Sequence, residues 1–442
     1  MKARNPARMV PVAFGTAIGV GGLLLMLPFS HAEGRSTPPV DALFTAVSAT
    51  CVTGLVTLDT ATHWSTVGKV IILVLIQIGG FGIMTLTTMI ALLLGRRLSL
   101  ATVTSTQSES RARLGDVRHL PQKIALAVIL SEVVIAVVLT LRFRAAYDDD
   151  WASAAWHGLF HAISAFNNAG FALYSDNVMG FVADAWIIFP LCAAVIAGGI
   201  GFPVYFELIR QRKLFRPHDW SVHARLTVAG TLILLLFGFL AFAIVEWRNH
   251  ATIGPLDLWG KIVASTAGSV FPRTAGFNSV DYGAVRPETL LVHYALMFIG
   301  GGSAGTAGGI KVGTFFLLAY VIWSEVTGEP QVRIGHRTVG TQTIRQGLTV
   351  VLLAIGLIAL GTIIILSATH FRLDVVLFEC ISAFGTVGLS ANLTPLMPPI
   401  GKVVLMVLMF CGRVGPITVV AAMTVHRRQS RIHMPEERPL VG

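Results

Sequence analysis

Eight apolar runs divide this chain, at 10–29, 70–95, 124–141, 186–209, 226–245, 290–323, 347–366 and 403–425. Each is close to or beyond the roughly 20 residues that an α-helix needs to cross a hydrocarbon core. Four are nearly free of charge, and Glu132, Glu207, Lys311 and Arg413 interrupt the others. The first run is too long for a secretory leader and no small-residue cleavage site follows it, so it is expected to remain as a span.

Shorter, half-polar stretches lie between the members of each pair of runs. Each ends in small residues closed by glycine and a bulky apolar residue: Val52-Thr53-Gly54-Leu55, Asn168-Ala169-Gly170-Phe171, Thr274-Ala275-Gly276-Phe277 and Thr386-Val387-Gly388-Leu389. The four glycines are 116, 106 and 112 residues apart. Upstream, Ser48-Ala49-Thr50, Ser164-Ala165-Phe166 and Ser382-Ala383-Phe384 share one offset from their glycines, while the third copy has Val270-Phe271-Pro272 there. A period of about 110 residues is too long for a solenoid and fits a duplicated membrane hairpin. The pattern predicts an all-α integral membrane protein. Its four pseudo-symmetric repeats would each hold an outer helix, a reentrant pore helix with a filter loop, and an inner helix, around one central ion pore. The repeats are expected at 1–95, 96–216, 217–335 and 336–442, the last with a cytoplasmic tail. The reentrant helices fall near 41–48, 156–164, 258–267 and 375–382, too short to span a bilayer.

An ion entering a narrow path must exchange its water for other oxygens, and backbone carbonyls can supply them. Aiming successive carbonyls one way needs unusual dihedrals, which glycine allows. The C-terminal end of a short helix pointing at the same place favours a cation. The loops carry no ring of Asp or Glu, so selection by carbonyls is expected, favouring K+ over Ca2+. Non-helical backbone at membrane depth must be enclosed by protein or line a water cavity, and four loops satisfy this by converging. One such glycine alone reads as a helix-packing residue. Four in register, each between paired spans, do not.

Composition agrees with this picture. Hydrophobic residues make up 54% of the chain and charged ones 13%, about half the share usual in soluble domains. The net charge of +10 could suggest a nucleic-acid partner, but the basic residues gather between alternate spans, as at Arg96 and Arg97, Arg210 to Arg216, and Arg427 to Arg431. The opposite loops carry Asp148, Asp149 and Asp150. This is the positive-inside distribution. It argues against nucleic acid, for a lipid membrane, for both termini in the cytoplasm and for all four loops facing outside. The four cysteines, Cys51, Cys192, Cys380 and Cys411, have no metal-ligand spacing and imply no disulfide framework. Cys51 adjoins the first loop. Either it faces a water-filled vestibule and reacts with thiol reagents, or it is buried behind the strand.

Gly300, Gly301, Gly302, Ser303, Ala304, Gly305, Thr306, Ala307, Gly308 and Gly309 interrupt the third inner helix. Six glycines in that stretch, each costing roughly 1 kcal/mol in a helix relative to alanine, predict a loop. A phosphate-binding loop is excluded because the Lys-Ser/Thr ending and a preceding strand are missing. A gate across 300–314, including Lys311, is preferred over a plain helix break. Arg413 falls within the last apolar run, where a charge faces a cavity or a partner. Its alternatives are a latch on the loop, bonding to groups such as Ser303 and Thr306, and a structural ion pair with Glu379. Shortening the loop or removing Arg413 is expected to raise flux and leave selectivity intact. Glu132 reads as an interhelical or intersubunit contact, and Arg273 as a brace behind the third loop.

Together, Cys51-Val52-Thr53-Gly54-Leu55, Asn167-Asn168-Ala169-Gly170-Phe171, Pro272 to Asn278 and Gly385-Thr386-Val387-Gly388-Leu389-Ser390 resemble the Trk/Ktr/HKT superfamily of potassium transporters, most closely the bacterial Ktr membrane subunits. The resemblance covers essentially the whole chain. It implies that Gly54, Gly170, Gly276 and Gly388 line a K+ filter, that the glycine-rich segment obstructs the path from the cytoplasmic side, and that an arginine at the place of Arg413 lies beside it. Trk membrane subunits carry two additional N-terminal helices, whereas nine residues precede the first span here, which favours the Ktr branch. The resemblance further implies a homodimer and a separate cytosolic RCK-type ring that binds nucleotides, with no organic cofactor in this chain. Na+ is a candidate second ion. The competing reading is a secondary transporter coupled to Na+ or H+. An enzyme is not expected, since no His-Glu-His or Ser-His-Asp set falls within the spans.

Overall fold

The computed structural model describes residues 6–100, 120–210, 219–335 and 337–415. Across these, the order long helix, short helix, loop, long helix occurs four times. The first set is α1 (Pro6–Met26), α2 (Pro39–Thr50) and α3 (Thr66–Leu100). The second is α4 (Leu120–Ala146), α5 (Trp151–Phe166), α6 (Ala185–Ile200) and the single turn α7 (Phe202–Tyr205), which runs into a π-turn at Phe206–Arg210. The third is α8 (Val222–Glu246), α9 (Leu258–Val270), α10 (Pro287–Phe298) and α11 (Val312–Thr327), followed by a two-residue hairpin, β1 (Arg333–Ile334) with β2 (Arg337–Thr338). The fourth is α12 (Thr341–Ala368), α13 (Leu373–Gly385) and α14 (Pro399–Val414).

The expectation of eight spans meets a more irregular structure. Among the described residues, α4, α8 and α12 are long and apolar enough to cross a membrane, and α6 with α7 would make a fourth if the bent pair is one span. Two of the second long helices are broken at glycine clusters. α6 and α7 meet at Gly201 with a 93° bend, and α10 and α11 are separated by the glycine-rich segment. The end of the last run, the basic residues Arg111 to Arg118, Arg212 to Arg216 and Arg427 to Arg431, and the tail lie outside the described residues.

The first helices of sets two to four turn bulky apolar side chains outward. Leu126, Ile129 and Leu130 on α4, Leu232, Ile233 and Leu236 on α8, and Leu352, Ile355 and Ile363 on α12 are exposed. So much exposed apolar surface suits lipid rather than water. The four short helices are the buried elements. Asp150 caps α5 by accepting from Ser153 N at 2.9 Å, and Asp257 caps α9 through Gly260 N at 2.8 Å. Proline at the first turn opens α2, where its missing N–H costs nothing.

Packing between sets is cyclic. α5 packs on α3, α9 on α6, α13 on α10, and α2 on α14. Each short helix thus leans on the second long helix of the preceding set, and the fourth set closes onto the first. Polar links repeat this order on the side of the glycine loops. Ser175 Oγ donates to Asp59 at 2.6 Å, Asn278 N to Asn177 Oδ1 at 3.3 Å, Asn392 Nδ2 to Asp281 at 2.7 Å, and Lys402 Nζ to Asp41 at 2.5 Å.

Candidate functional site

Each short helix ends where its glycine triplet begins, and the helix end captures the N–H groups of the loop. Thr53 N, Ala169 N and Val387 N return to the carbonyls of Ser48, Ser164 and Ser382 at 2.7–2.8 Å. The same serines use their side chains: Ser48 Oγ and Ser382 Oγ accept from Gly54 N and Gly388 N at 3.1 Å, and Ser164 Oγ donates to Phe171 O at 2.7 Å. This explains the shared Ser-Ala signature. The third copy has Val270 in that place, and its bonding shifts by one residue, with Gly276 N reaching Phe271 O at 3.3 Å. Behind it, buried Arg273 donates to Thr231 O at 3.4 Å and Gly300 O at 3.1 Å, a brace of the expected kind.

The four triplets share one backbone pattern. The first residues, Val52, Asn168, Thr274 and Thr386, have φ of +55°, +60°, +68° and +49°, and the glycines Gly54, Gly170, Gly276 and Gly388 have +97°, +69°, +74° and +99°. The middle residues, Thr53, Ala169, Ala275 and Val387, are not among the positive-φ residues. Alternating hands turn successive peptide planes so that N–H groups face the helix and carbonyls face away. Left-handed φ at a side-chain-bearing residue costs of order 1–3 kcal/mol, so four instances at one offset mark a shared structural demand.

The four loops touch one another in a cycle. A methyl built on Gly54 would run into Ala169 O, one on Gly170 would come 2.7 Å from Ala275 O, one on Gly276 would strike Val387 O, and one on Gly388 would strike Thr53 O. Each glycine therefore abuts the middle carbonyl of the next loop, in the order one, two, three, four and back to one. All twelve triplet residues are buried.

The glycine-rich segment lies directly against one end of this ring. Gly308 abuts the Thr386 hydroxyl, and a methyl on Gly300 would sit 3.4 Å from Thr274 Cγ2. Thr306 Oγ1 is 3.0 Å from the Asn168 amide. The segment is irregular yet well bonded, because the break at Gly201 (φ +94°) frees carbonyls for it. Gly302 N donates to Gly199 O at 2.8 Å, Thr306 N to Gly198 O at 3.1 Å, and Phe202 N to Ala304 O at 3.3 Å. The break in the second inner helix was missed in the sequence, although Gly198-Gly199-Ile200-Gly201-Phe202-Pro203 carries the glycines and proline that cause kinks.

Two cations hold the segment. Lys311 Nζ donates to Ala307 O at 2.5 Å. Buried Arg413 donates from Nη1 to Thr306 O and from Nη2 to Gly79 O at 3.0 Å. Arg413 stands one residue from the end of α14. Of the two expected hydroxyl-bearing partners, it bonds the Thr306 carbonyl, whereas the Ser303 carbonyl faces Gly201. The ion pair with Glu379 is not formed. Glu379 is satisfied instead by Ser390 Oγ and Thr394 Oγ1 at 2.6 Å and Ala391 N at 3.1 Å, bracing the chain after the fourth loop. Glu132 makes an interhelical contact, accepting from Asn167 Nδ2 at 2.9 Å and Gln77 Nε2 at 3.3 Å. Cys51 is fully buried, so the vestibule-facing placement is corrected to the buried one.

Comparison with known proteins gives a consistent answer. The profile of the family described as TrkH, cation transport protein, matches residues 4–433. Ktr system potassium uptake protein B of Bacillus subtilis is 38% identical, with 99% of this chain and 97% of that protein aligned. The protein of the same name from Vibrio alginolyticus is 37% identical over 98% and 94%. The potassium/sodium uptake protein NtpJ of Enterococcus hirae is 34% identical over 100% and 98%. The crystal structure of the potassium transporter TrkH from Vibrio parahaemolyticus shares the fold, with a TM-score of 0.75 at 17% identity over 96% of this chain and 86% of that one.

Proposed function

The chain belongs to the TrkH cation transport protein family, and on that premise we propose that it carries K+ across a bacterial plasma membrane as the ion-translocating subunit of a Ktr-type uptake system. It is a multi-pass membrane transporter and not an enzyme. The observation that carries the reading is the cyclic contact between each triplet glycine and the middle carbonyl of the next loop. Such a ring offers oxygen ligands to a dehydrated monovalent cation. Val52 to Gly54, Asn168 to Gly170, Thr274 to Gly276 and Thr386 to Gly388 form the filter. The segment from Gly300 to Lys311 is the gate, held shut across the inner end of the filter by Arg413.

Two partners complete the proposal: a second copy of this chain and a cytosolic nucleotide-binding RCK ring that supplies control. Na+ is the candidate assisting ion, because one relative is described as a potassium/sodium uptake protein. Rescue of a K+-uptake-deficient bacterium on low K+ tests the function, with and without an RCK partner. Growth restored by the chain with its partner, and lost in the Gly388→Ser variant at equal protein level, is the expected result. No rescue under any ionic condition, despite membrane insertion, would overturn it.

A further inference from the structure

The expectation that a moving gate leaves the filter untouched conflicts with the hydrogen bonds at their junction. Thr306, on the glycine-rich segment, and Asn168, the first residue of the second filter strand, are both buried. Thr306 Oγ1 lies 3.2 Å from Phe166 O and 3.0 Å from the Asn168 amide. A hydroxyl has one proton. Given to the Phe166 carbonyl, it leaves an oxygen that can only accept, so the amide must present its nitrogen. In that orientation the Asn168 nitrogen donates to Thr306 Oγ1 at 3.0 Å and to Val195 O at 3.2 Å, and Asn168 Oδ1 accepts from Thr274 Oγ1 at 3.2 Å. The single proton of Thr274 is then committed sideways, and its lone pairs are left for the ion path.

The same ring rests on the segment elsewhere. Thr386 Oγ1 abuts Gly308, and Thr274 Cγ2 overlies Gly300. Val52, the fourth first-position residue, packs on Gly79, whose carbonyl is one of the two that Arg413 holds. We propose that the Asn168 side-chain amide, seated between Thr306 of the gate and Thr274 of the next filter strand, is a positioning residue that ties gate position to ion selection. This rests on the filter and gate reading above. Withdrawing Thr306 removes the shortest contact of the amide nitrogen, loosens Asn168 and, through it, the Thr274 hydroxyl. An open gate then discriminates among cations differently from a closed one.

The test is cation competition in proteoliposomes holding the chain alone, with K+ uptake measured against Na+ and Rb+. Thr306→Val removes the hydroxyl, keeps the side-chain volume and leaves the filter strands unaltered. It should change K+ over Na+ discrimination by about fivefold, the factor that one buried hydrogen bond represents. Thr306→Ser, which keeps the hydroxyl, should restore it. Asn168→Leu with Thr306→Val should be no worse than Asn168→Leu alone, because both cut one link. Higher flux in Thr306→Val with an unchanged K+ to Na+ ratio, or fully additive effects in the double variant, would overturn the coupling. Failure of the underlying reading looks different: a shortened 300–309 segment would leave flux unchanged, or Asn168→Leu would leave selectivity at the wild-type value.

Discussion

A single methyl group is the smallest probe of the carbonyl ring, and the four glycines should answer it unequally. Gly54 and Gly388, at φ of +97° and +99°, lie well outside the left-handed region near +60° that other residues visit, whereas Gly170 and Gly276, at +69° and +74°, lie close to it. Serine at Gly54 or Gly388 therefore adds backbone strain to its collision with Ala169 O or Thr53 O. All four serine variants should weaken K+ over Na+ selection, with Gly54→Ser and Gly388→Ser the more severe, in competition assays on protein inserted at normal levels. Wild-type affinity and selectivity in all four would rule out the filter. At this scale the triplets were legible because glycine is chemically distinctive. The positive φ of Val52, Asn168, Thr274 and Thr386 was not, since three residue types share it and none is glycine. The orientation of the Asn168 amide is set by Phe166, Val195, Thr274 and Thr306, which come together only on folding.

Among elements, the glycine-rich segment depends on the neighbouring broken helix as much as on its own composition. The bend at Gly201 turns the carbonyls of Gly198 and Gly199 from helix acceptors into docking points for Thr306 N and Gly302 N. Arg413 adds two charge-assisted bonds, to Thr306 O and Gly79 O, each of a kind worth roughly 1.5–3 kcal/mol. Arg413→Ala should therefore raise partner-free K+ flux in proteoliposomes by about tenfold or more. Removing part of 300–309 should raise it further and, unlike the expectation from sequence, also shift selectivity. Flux at or below wild type in the shortened protein, with normal protein level and oligomeric state, would make the segment a structural break. The order of elements was readable from apolar runs and the repeat. The bend between α6 and α7 was signalled by Gly198, Gly199, Gly201 and Pro203 but not fixed by them, because such residues permit a kink while its angle is set by the packing around it.

For the whole molecule, the ring closes only where the fourth set meets the first, through α2 on α14 and the ion pair of Lys402 with Asp41. Both side chains are largely shielded, at 15% and 13% exposure. Lys402→Met should therefore cost about 2 kcal/mol and lower the unfolding midpoint in detergent, with Asp41→Asn adding little on top of it. Full additivity of the two changes would show that the pair does not act as a unit.

The Lys402–Asp41 bond joins residues 361 positions apart, and Arg413 reaches Gly79 across 334. Contacts of such separation form late, since loop-closure entropy must be met before they reward the chain. A nascent protein therefore carries three sets of helices in the membrane before its last wall exists. Until the fourth set is made and docks, the Gly388 to Thr53 contact is missing, and until α14 is complete Arg413 is not there to hold Thr306. On the filter and gate reading proposed above, the ring and its latch would both await the fourth set, so no earlier stage of synthesis would hold a complete path.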